Sequence, residues 1–362
     1  MQDHHYDERI AALRRQLETC GCDAFFSVDP ADNAYLTGFF GSTSAVLVTP
    51  HTARLLCDFR YQEQAASLNS GIEVVTCSGN LDARLGEHLR DSGAPRAAFD
   101  PGAITVARHD TVKTAFTGET VPTAEMCRKL REIKEPSEVE RVRAASQLAE
   151  AALEQVLSSL KCGMCEYELA ASLEYEFRKR GAQRASFDTI VLFGARSSLP
   201  HGMPGPNPLK TGDIVLIDCG CVLDGYCSDL TRTFVFGRIP GDWFADIYEC
   251  VRQAQDNALK AVASGVSARS VDDAARAFIA AAGHGDQFGH GTGHGVGLEI
   301  HESPRLSALS EAVLEAGMVV TVEPGIYLPG QGGVRIEDLL VVTENGCDVL
   351  TETPKELRIL QV

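Results

Sequence analysis

An aspartate in the middle of an apolar strand is costly unless it is paired or metal-bound, and DIVLIDCG carries one at Asp218. The continuation, Gly-Cys-Val-Leu-Asp224-Gly225-Tyr, contains an Asp-Gly pair, a strong signal for a two-residue hairpin turn. A second aspartate, Asp229, then lies on the returning arm. With Asp224-Gly225 as the turn, Gly220 faces Asp229 and the two aspartates are diagonal neighbours. With Leu223-Asp224 as the turn, Asp218 and Asp229 face each other directly. Side chains alternate along a strand and cross-strand partners share a face, so both registers put the two carboxylates on one side of the sheet. Like charges held this way destabilise one another, and a divalent cation resolves the conflict.

Three later residues extend the pattern: His294 in GHGTGHGVGLEIHE, Glu323 in TVEPGIY and Glu337 in GGVRIEDLL. Around His294, the histidines His290 and His301 alternate with glycines, which permit close backbone approach. Imidazoles there can serve as ligand, general acid–base or carbonyl polariser. No GxGxxG spacing fits a dinucleotide loop, and His301-Glu302 is followed by Ser-Pro-Arg, so HExxH fails as well. GGVRIEDLLVVT reads as one strand with Arg335, Glu337 and Leu339 on a shared face, making Arg335 a partner that orients a carboxylate. Glu323 ends an apolar strand before Pro324-Gly325, where a turn can present it to a cavity. Four carboxylates balance two divalent cations and leave a bridging water free to ionise. Oxygen-rich ligands with one nitrogen suit Mn²⁺ best, or Co²⁺, Zn²⁺ or Fe²⁺, rather than a thiolate-type structural zinc. Two such metals, about 3.5–4 Å apart, lower the pKa of bound water toward ~7 and stabilise a tetrahedral oxyanion, so the chain reads as a hydrolase.

At 362 residues two domains are expected. A hydrophobic content of 44% with 23% charged residues is that of a soluble globular chain, and no run approaches the ~18–20 apolar residues of a membrane span. The N-terminal MQDHHYDERIAALRRQL has an amphipathic helical pattern rather than a basic-then-apolar signal, so a cytoplasmic location is expected. The net charge of -17 argues against a nucleic-acid partner and serves solubility. Of the twelve cysteines, Cys162-Gly-Met-Cys165 has redox or half-zinc-site spacing, but no second CxxC or CxxH completes a zinc site. Reduced thiols packing as small hydrophobes are expected.

The first 130 residues alternate strands (FFSVDP, AVLVTP, ARLLCDF, IEVVTC) with helical patterns over 7–20, 60–69 and 81–91, an α/β layer domain. A boundary falls near 130–137. Ser137 with Glu140 reads as a capping box for a helix over about 137–160, and a second helix, EYELAASLEYEFRKR, stops at Gly181. Strands SFDTIVLFG and DIVLIDCG follow, separated by a Pro/Gly-rich loop. Helices at about 242–263 and 270–282 then precede the Gly/His loop and the strands MVVTVEP and RIEDLLVVT. Two helices followed by acid-bearing strands thus occur twice, which suggests an internal pseudo-duplication.

On the order D…D…H…E…E with these flanks, the chain resembles the pita-bread-fold dinuclear metallopeptidases, in the branch of Xaa-Pro aminopeptidases and prolidases. The resemblance covers nearly the whole chain. It implies a small creatinase-like α/β domain over 1–133, followed by a pita-bread catalytic domain over 134–362 with a pseudo-twofold repeat. It implies metal ligation by Asp218, Asp229, His294, Glu323 and Glu337, with Glu323 also shuttling a proton. His301 would contact the scissile carbonyl, His201 in SSLPHGMPG would handle substrate or relay a proton, and His290 would line the pocket; Arg335 joins this substrate-handling group. NAYLTGFFGSTSAVLVT and LLCDFRYQEQA are similar to the amino domain of bacterial Xaa-Pro aminopeptidases, which in that family contributes to the substrate entrance and a homodimer contact. The implied partners are proline-containing peptides, with removal of the residue before an N-terminal Xaa-Pro bond as the leading reading and an Xaa-Pro dipeptidase as the alternative. Metal-free creatinase-like chemistry or a binding module fits less well, because all five ligand positions are intact.

Overall fold

The computed structural model describes residues 5–68 and 70–361. The first four residues of the amphipathic N-terminal stretch, and Asn69 at the end of the helix expected over 60–69, lie outside them. The chain divides into two compact units, Met1–Arg131 and Glu132–Val362. Among the described residues no helix is long and apolar enough to cross a membrane.

The N-terminal unit is built on one mixed six-stranded sheet. Its strand order is Glu73–Cys77, Ala53–Asp58, Ser44–Val48, Ala24–Ser27, Arg96–Phe99, Glu119–Pro122. The four strands expected in the first 80 residues are present; the last two were not foreseen. Asn33-Ala-Tyr-Leu-Thr, read as a polar and aromatic island, belongs to the helix Pro30–Thr37. Its start is fixed by Pro30 at the first helical position and by the Asp29 side chain, which accepts from the Ala31 and Asp32 amides. The segment expected as one helix from residue 60 is a 3₁₀ turn, Phe59–Tyr61, leading into the short helix Gln62–Ala66.

The C-terminal unit consists of two similar halves. In the first, helices Pro136–Leu157 and Glu166–Lys179 share a core with a sheet ordered Ile359–Leu360, Leu230–Phe236, Ile214–Cys219, Ile190–Phe193. In the second, helices Asp242–Ala261 and Ala268–Ala281 share another core with a sheet ordered Glu302–Leu306, Gly293–Gly295, Val319–Val322, Asp338–Thr343, Gly346–Val349. The second helix of the first half buries Leu169, Leu173 and Phe177 at helical spacing. Each fully buried apolar side chain contributes about 1.5–3 kcal/mol, so packing rather than propensity holds these helices. The cap of the first helix lies two residues earlier than expected. Glu135, not Ser137, is its cap residue: Pro136 opens the helix, and the Glu138 carboxylate accepts from the Glu135 amide at 2.9 Å.

The halves correspond residue by residue where each second helix begins. Cys165 and Ser267 are the cap residues, Gly163 and Gly265 precede them with φ of 88° and 83°, and Gly181 and Gly283 follow the helices with φ of 104° and 88°. The Gly163 amide donates to Leu209 O and the Leu209 amide to Met164 O; Gly265, Leu314 and Val266 repeat the pair of bonds. Cys162-Gly-Met-Cys165 therefore occupies the turn that Ser264-Gly-Val-Ser267 forms in the other half. Its spacing is that of a helix-entry turn. Cys165→Ser is accordingly expected to hold or raise the unfolding temperature by a few degrees, since a serine cap contributes about 0.5–2 kcal/mol. A clear drop on thermal melting would show that the thiol does more than cap.

Candidate active site

The hairpin takes the first of the two registers. Asp224 and Gly225 have φ of 48° and 84°, the positive values a two-residue turn of this type needs. Leu223 then pairs with Tyr226, and further along Asp218 pairs with Thr231. Asp218 and Asp229 line one cavity of about 290 Å³ together with His294, Glu323, Glu337, His201 and His301. An adjoining cavity of about 250 Å³ adds His290 and Arg335. The nine side chains singled out in the sequence thus meet around two adjoining cavities.

His294 sits on the Gly293–Gly295 strand because its neighbours have no side chains. A Cβ on Gly293 would collide with the Thr321 carbonyl oxygen, and one on Gly295 with that of Ser303. The His294 Nδ1 lies 3.0 Å from the Gly295 carbonyl, so it carries the ring proton and leaves the Nε2 lone pair free. That Nε2 is 3.5 Å from Asp229 Oδ2 and 3.6 Å from Glu323 Oε1. Burial lowers the His294 pKa to about 4, which keeps the ring neutral. One ligand atom each of Asp229, His294 and Glu337 lies within 4.8 Å of the others.

The carboxylates are held under electrostatic stress. Burial, then the neighbouring Glu337 and Asp218, raises Asp229 well above the ordinary carboxylate range. Burial followed by Glu323 does the same to Glu337, and burial pushes Glu323 to about 8. Asp218 Oδ1 is buried without a hydrogen-bond partner among the described residues. An orphaned buried oxygen, a neutral imidazole aimed at carboxylates and four converging acids fit divalent cations, and Asp218, Asp229, His294, Glu323 and Glu337 could hold them.

GGVRIEDLL is not one strand. Gly332–Arg335 and Asp338–Thr343 belong to different sheets, and the chain turns between them. Arg335 and Glu337 nonetheless reach the same hydroxyl: Arg335 Nε donates to Thr231 Oγ1 at 3.1 Å, and Thr231 Oγ1 donates to Glu337 Oε2 at 2.7 Å. Leu339 is buried and pairs with Thr321, on the sheet face opposite the core-facing Leu340 and Val342. Asp338, next in chain to Glu337, turns away and pairs with the buried Arg232 at 2.6 Å. Arg335 is buried and donates to Asp218 Oδ2 at 2.5 Å and to the Tyr327 hydroxyl at 2.9 Å. The Tyr327 hydroxyl lies 2.9 Å from His290 Nε2, while His290 Nδ1 faces the Gly291 carbonyl at 2.8 Å. The proton order is therefore fixed: Arg335 donates to Tyr327, and Tyr327 donates to His290.

Family models match most of the chain: Metallopeptidase family M24 over residues 140–344 and the Creatinase/Prolidase N-terminal domain over residues 9–133. The chain belongs to metallopeptidase family M24. Its fold is the pita-bread fold, behind a creatinase-like N-terminal domain. This M24 chain is 40% identical over 353 residues to the uncharacterized peptidase YqhT of Bacillus subtilis, covering 97% of this chain and 100% of that one. It superposes on the Xaa-Pro dipeptidase from Bacillus anthracis with a TM-score of 0.95 at 41% identity, covering 98% of this chain and 100% of the other. The X-Pro aminopeptidase from Thermotoga maritima follows at a TM-score of 0.89 and 35% identity, with 96% and 100% covered.

Sequence reasoning missed Thr231, Tyr327 and Arg305. Thr231 was accessible, since it lies two residues beyond Asp229 in an extended segment and so shares its face. Arg305 is the register partner of His294 across a strand pair that glycine-rich sequence does not announce. Asp272, also missed, is fully buried in the Ala268–Ala281 helix. It accepts from the Thr292 amide and hydroxyl, while its ion-pair partner Arg276 donates to the Phe288 and His290 carbonyls. That pair fixes the entry to the His294 strand.

Four acids held this close should make the protein depend on cations for stability. EDTA-treated protein at pH 8 is expected to melt higher when a divalent cation is restored, by about 2.7 kcal/mol at a hundredfold excess over its dissociation constant. Asp229→Asn should melt above the parent in EDTA and lose most of that response. A lower melting point for Asp229→Asn in EDTA, read by calorimetry, would contradict the repulsion argument.

Proposed function

We propose that the chain is a metal-dependent Xaa-Pro dipeptidase, with catalysis the task of residues 134–362. The observation that carries this reading is Arg305. It lines the cavity beside His301 and Glu323, is exposed, and its side chain makes no ion pair or hydrogen bond among the described residues. A cation without a partner at the mouth of a small cavity suits a substrate whose own C-terminal carboxylate lies one residue past the scissile bond. The name of the Bacillus anthracis relative supports the same reading, and the aminopeptidase reading of the sequence becomes the alternative, favoured by the Thermotoga maritima relative. A bond before proline is a tertiary amide without an N–H, which gives a dedicated pocket its purpose.

In this reading Asp218, Asp229, His294, Glu323 and Glu337 would hold two divalent cations, with Mn²⁺ the best match to the donor set. Divalent cations held by these residues would supply a lowered pKa for water and polarisation of the scissile carbonyl. Arg335 orients the Asp218 carboxylate, and Thr231 orients Glu337. Glu323 takes a proton from the attacking water and returns it to the proline nitrogen. His301 and His201 donate to the carbonyl oxygen as charge develops on it, and the Arg335–Tyr327–His290 chain fixes His290 in the adjoining cavity.

The test compares an Xaa-Pro dipeptide, its C-terminal amide and an Xaa-Pro-Pro tripeptide, with metal content followed by elemental analysis. The dipeptide is expected to be cleaved fastest. Arg305→Ala should raise its KM on the order of tenfold, the scale of a lost charge-assisted contact of about 1.4 kcal/mol, while leaving the amide unaffected. His294→Ala should lose metal and activity together. Equal cleavage of dipeptide and tripeptide would favour the aminopeptidase reading, and full turnover by metal-stripped protein would end the mechanism.

A further inference from the structure

Glu166 opens the second helix of the first half, and its side chain has no exposed surface. A buried carboxylate costs several kcal/mol unless fully compensated. All the compensation seen here comes from one loop. Glu166 Oε1 accepts from the Phe193 amide at 2.8 Å, and Oε2 from the Gly205 amide at 2.8 Å and from Asn207 Nδ2 at 3.0 Å. Arg196 Nε lies 3.0 Å from both oxygens, and Arg196 Nη2 reaches on to the Met203 carbonyl at 2.6 Å. One carboxylate and one guanidinium thus fasten the segment 193–207 on both sides of His201.

Capping does not explain this arrangement. The start of the helix is served by Glu168, whose carboxylate accepts from the Cys165 amide at 2.7 Å. The internal repeat supplies a control: the position equivalent to Glu166 in the second half is Ala268, fully buried at the start of a helix of the same length. The architecture therefore accepts an alanine there, and the acid answers to the loop. The loop's cargo also needs the help. The His201 imidazole lines both cavities yet makes no hydrogen bond or ion pair among the described residues, so the backbone alone sets its position.

We propose that Glu166, acting with Arg196, is a positioning residue that holds the 193–207 loop so that His201 meets the substrate carbonyl. The inference rests on the role given to His201 above. A misplacement of about 1 Å in such a group costs up to ~100-fold in rate, which sets the scale of the effect.

Glu166→Gln, Arg196→Gln, His201→Ala and the two doubles with His201→Ala are compared on an Xaa-Pro dipeptide, with metal content and melting measured alongside. Glu166→Gln and Arg196→Gln are expected to lose about tenfold to a hundredfold in kcat/KM. The loss should divide between kcat and KM as it does for His201→Ala, with metal content retained. Each double should be no slower than His201→Ala alone, because the clamp acts through that ring. Arg196 is partly exposed, so its variant carries the test if Glu166→Gln does not fold. Fully additive losses, or parental activity in both clamp variants, would overturn the clamp while leaving the role of His201 intact. Parental activity in His201→Ala would instead sink the role of His201, and the clamp with it.

Discussion

Four carboxylates share a buried pocket between the two halves of the C-terminal unit, and the surrounding structure is organised around the cost of keeping them there. Three devices steady them. Asp218 takes the end of a buried guanidinium, Glu337 a threonine hydroxyl, and Asp229 and Glu323 face a neutral imidazole. Arg335 matters most because it is a permanent charge with four acceptors: Asp218, Thr231, Tyr327 and the Pro200 carbonyl. A lysine could meet one of these and not the set. Glycines at 293 and 295 let the histidine strand approach closely enough for its ring to complete the cluster.

Much of this was legible in the sequence, and the reason is local. An acid inside an apolar run, an Asp-Gly turn between two acids and a histidine flanked by glycines are anomalies that a short window exposes. Strand parity correctly put Asp218 and Asp229 together, although choosing between the registers required the backbone angles of Asp224 and Gly225. GGVRIEDLL misled because a change of sheet leaves no trace in hydrophobic pattern when both flanks are buried. Arg305 and Glu166 stayed hidden for a further reason. Their meaning depends on what faces them from far along the chain, and each looks like an ordinary charged residue in its own neighbourhood.

The internal repeat changes how the cysteines are read. Cys162 and Cys165 look like a redox or zinc pair in isolation, but Ser264 and Ser267 occupy the matching turn with matching hydrogen bonds. Repeat symmetry separates what the fold requires of a position from what one half has added to it. By that measure the glycines before and after the second helix belong to the fold. Glu166 belongs to one half only.

Glu337 and Asp338 are adjacent acids with opposite destinations, one facing the pocket and the other locked on Arg232. A strand that slipped by a single residue would leave one of the two sites without an acid, with Leu339 at Arg232 in one direction or Ile336 in the pocket in the other. The pair with Arg232 fixes the register, and Asp338 also accepts from Gln255 and Thr351. Asp338 thus serves as a vernier mark for the chain. It lies outside the pocket, yet it decides which of two neighbouring carboxylates faces the cavity.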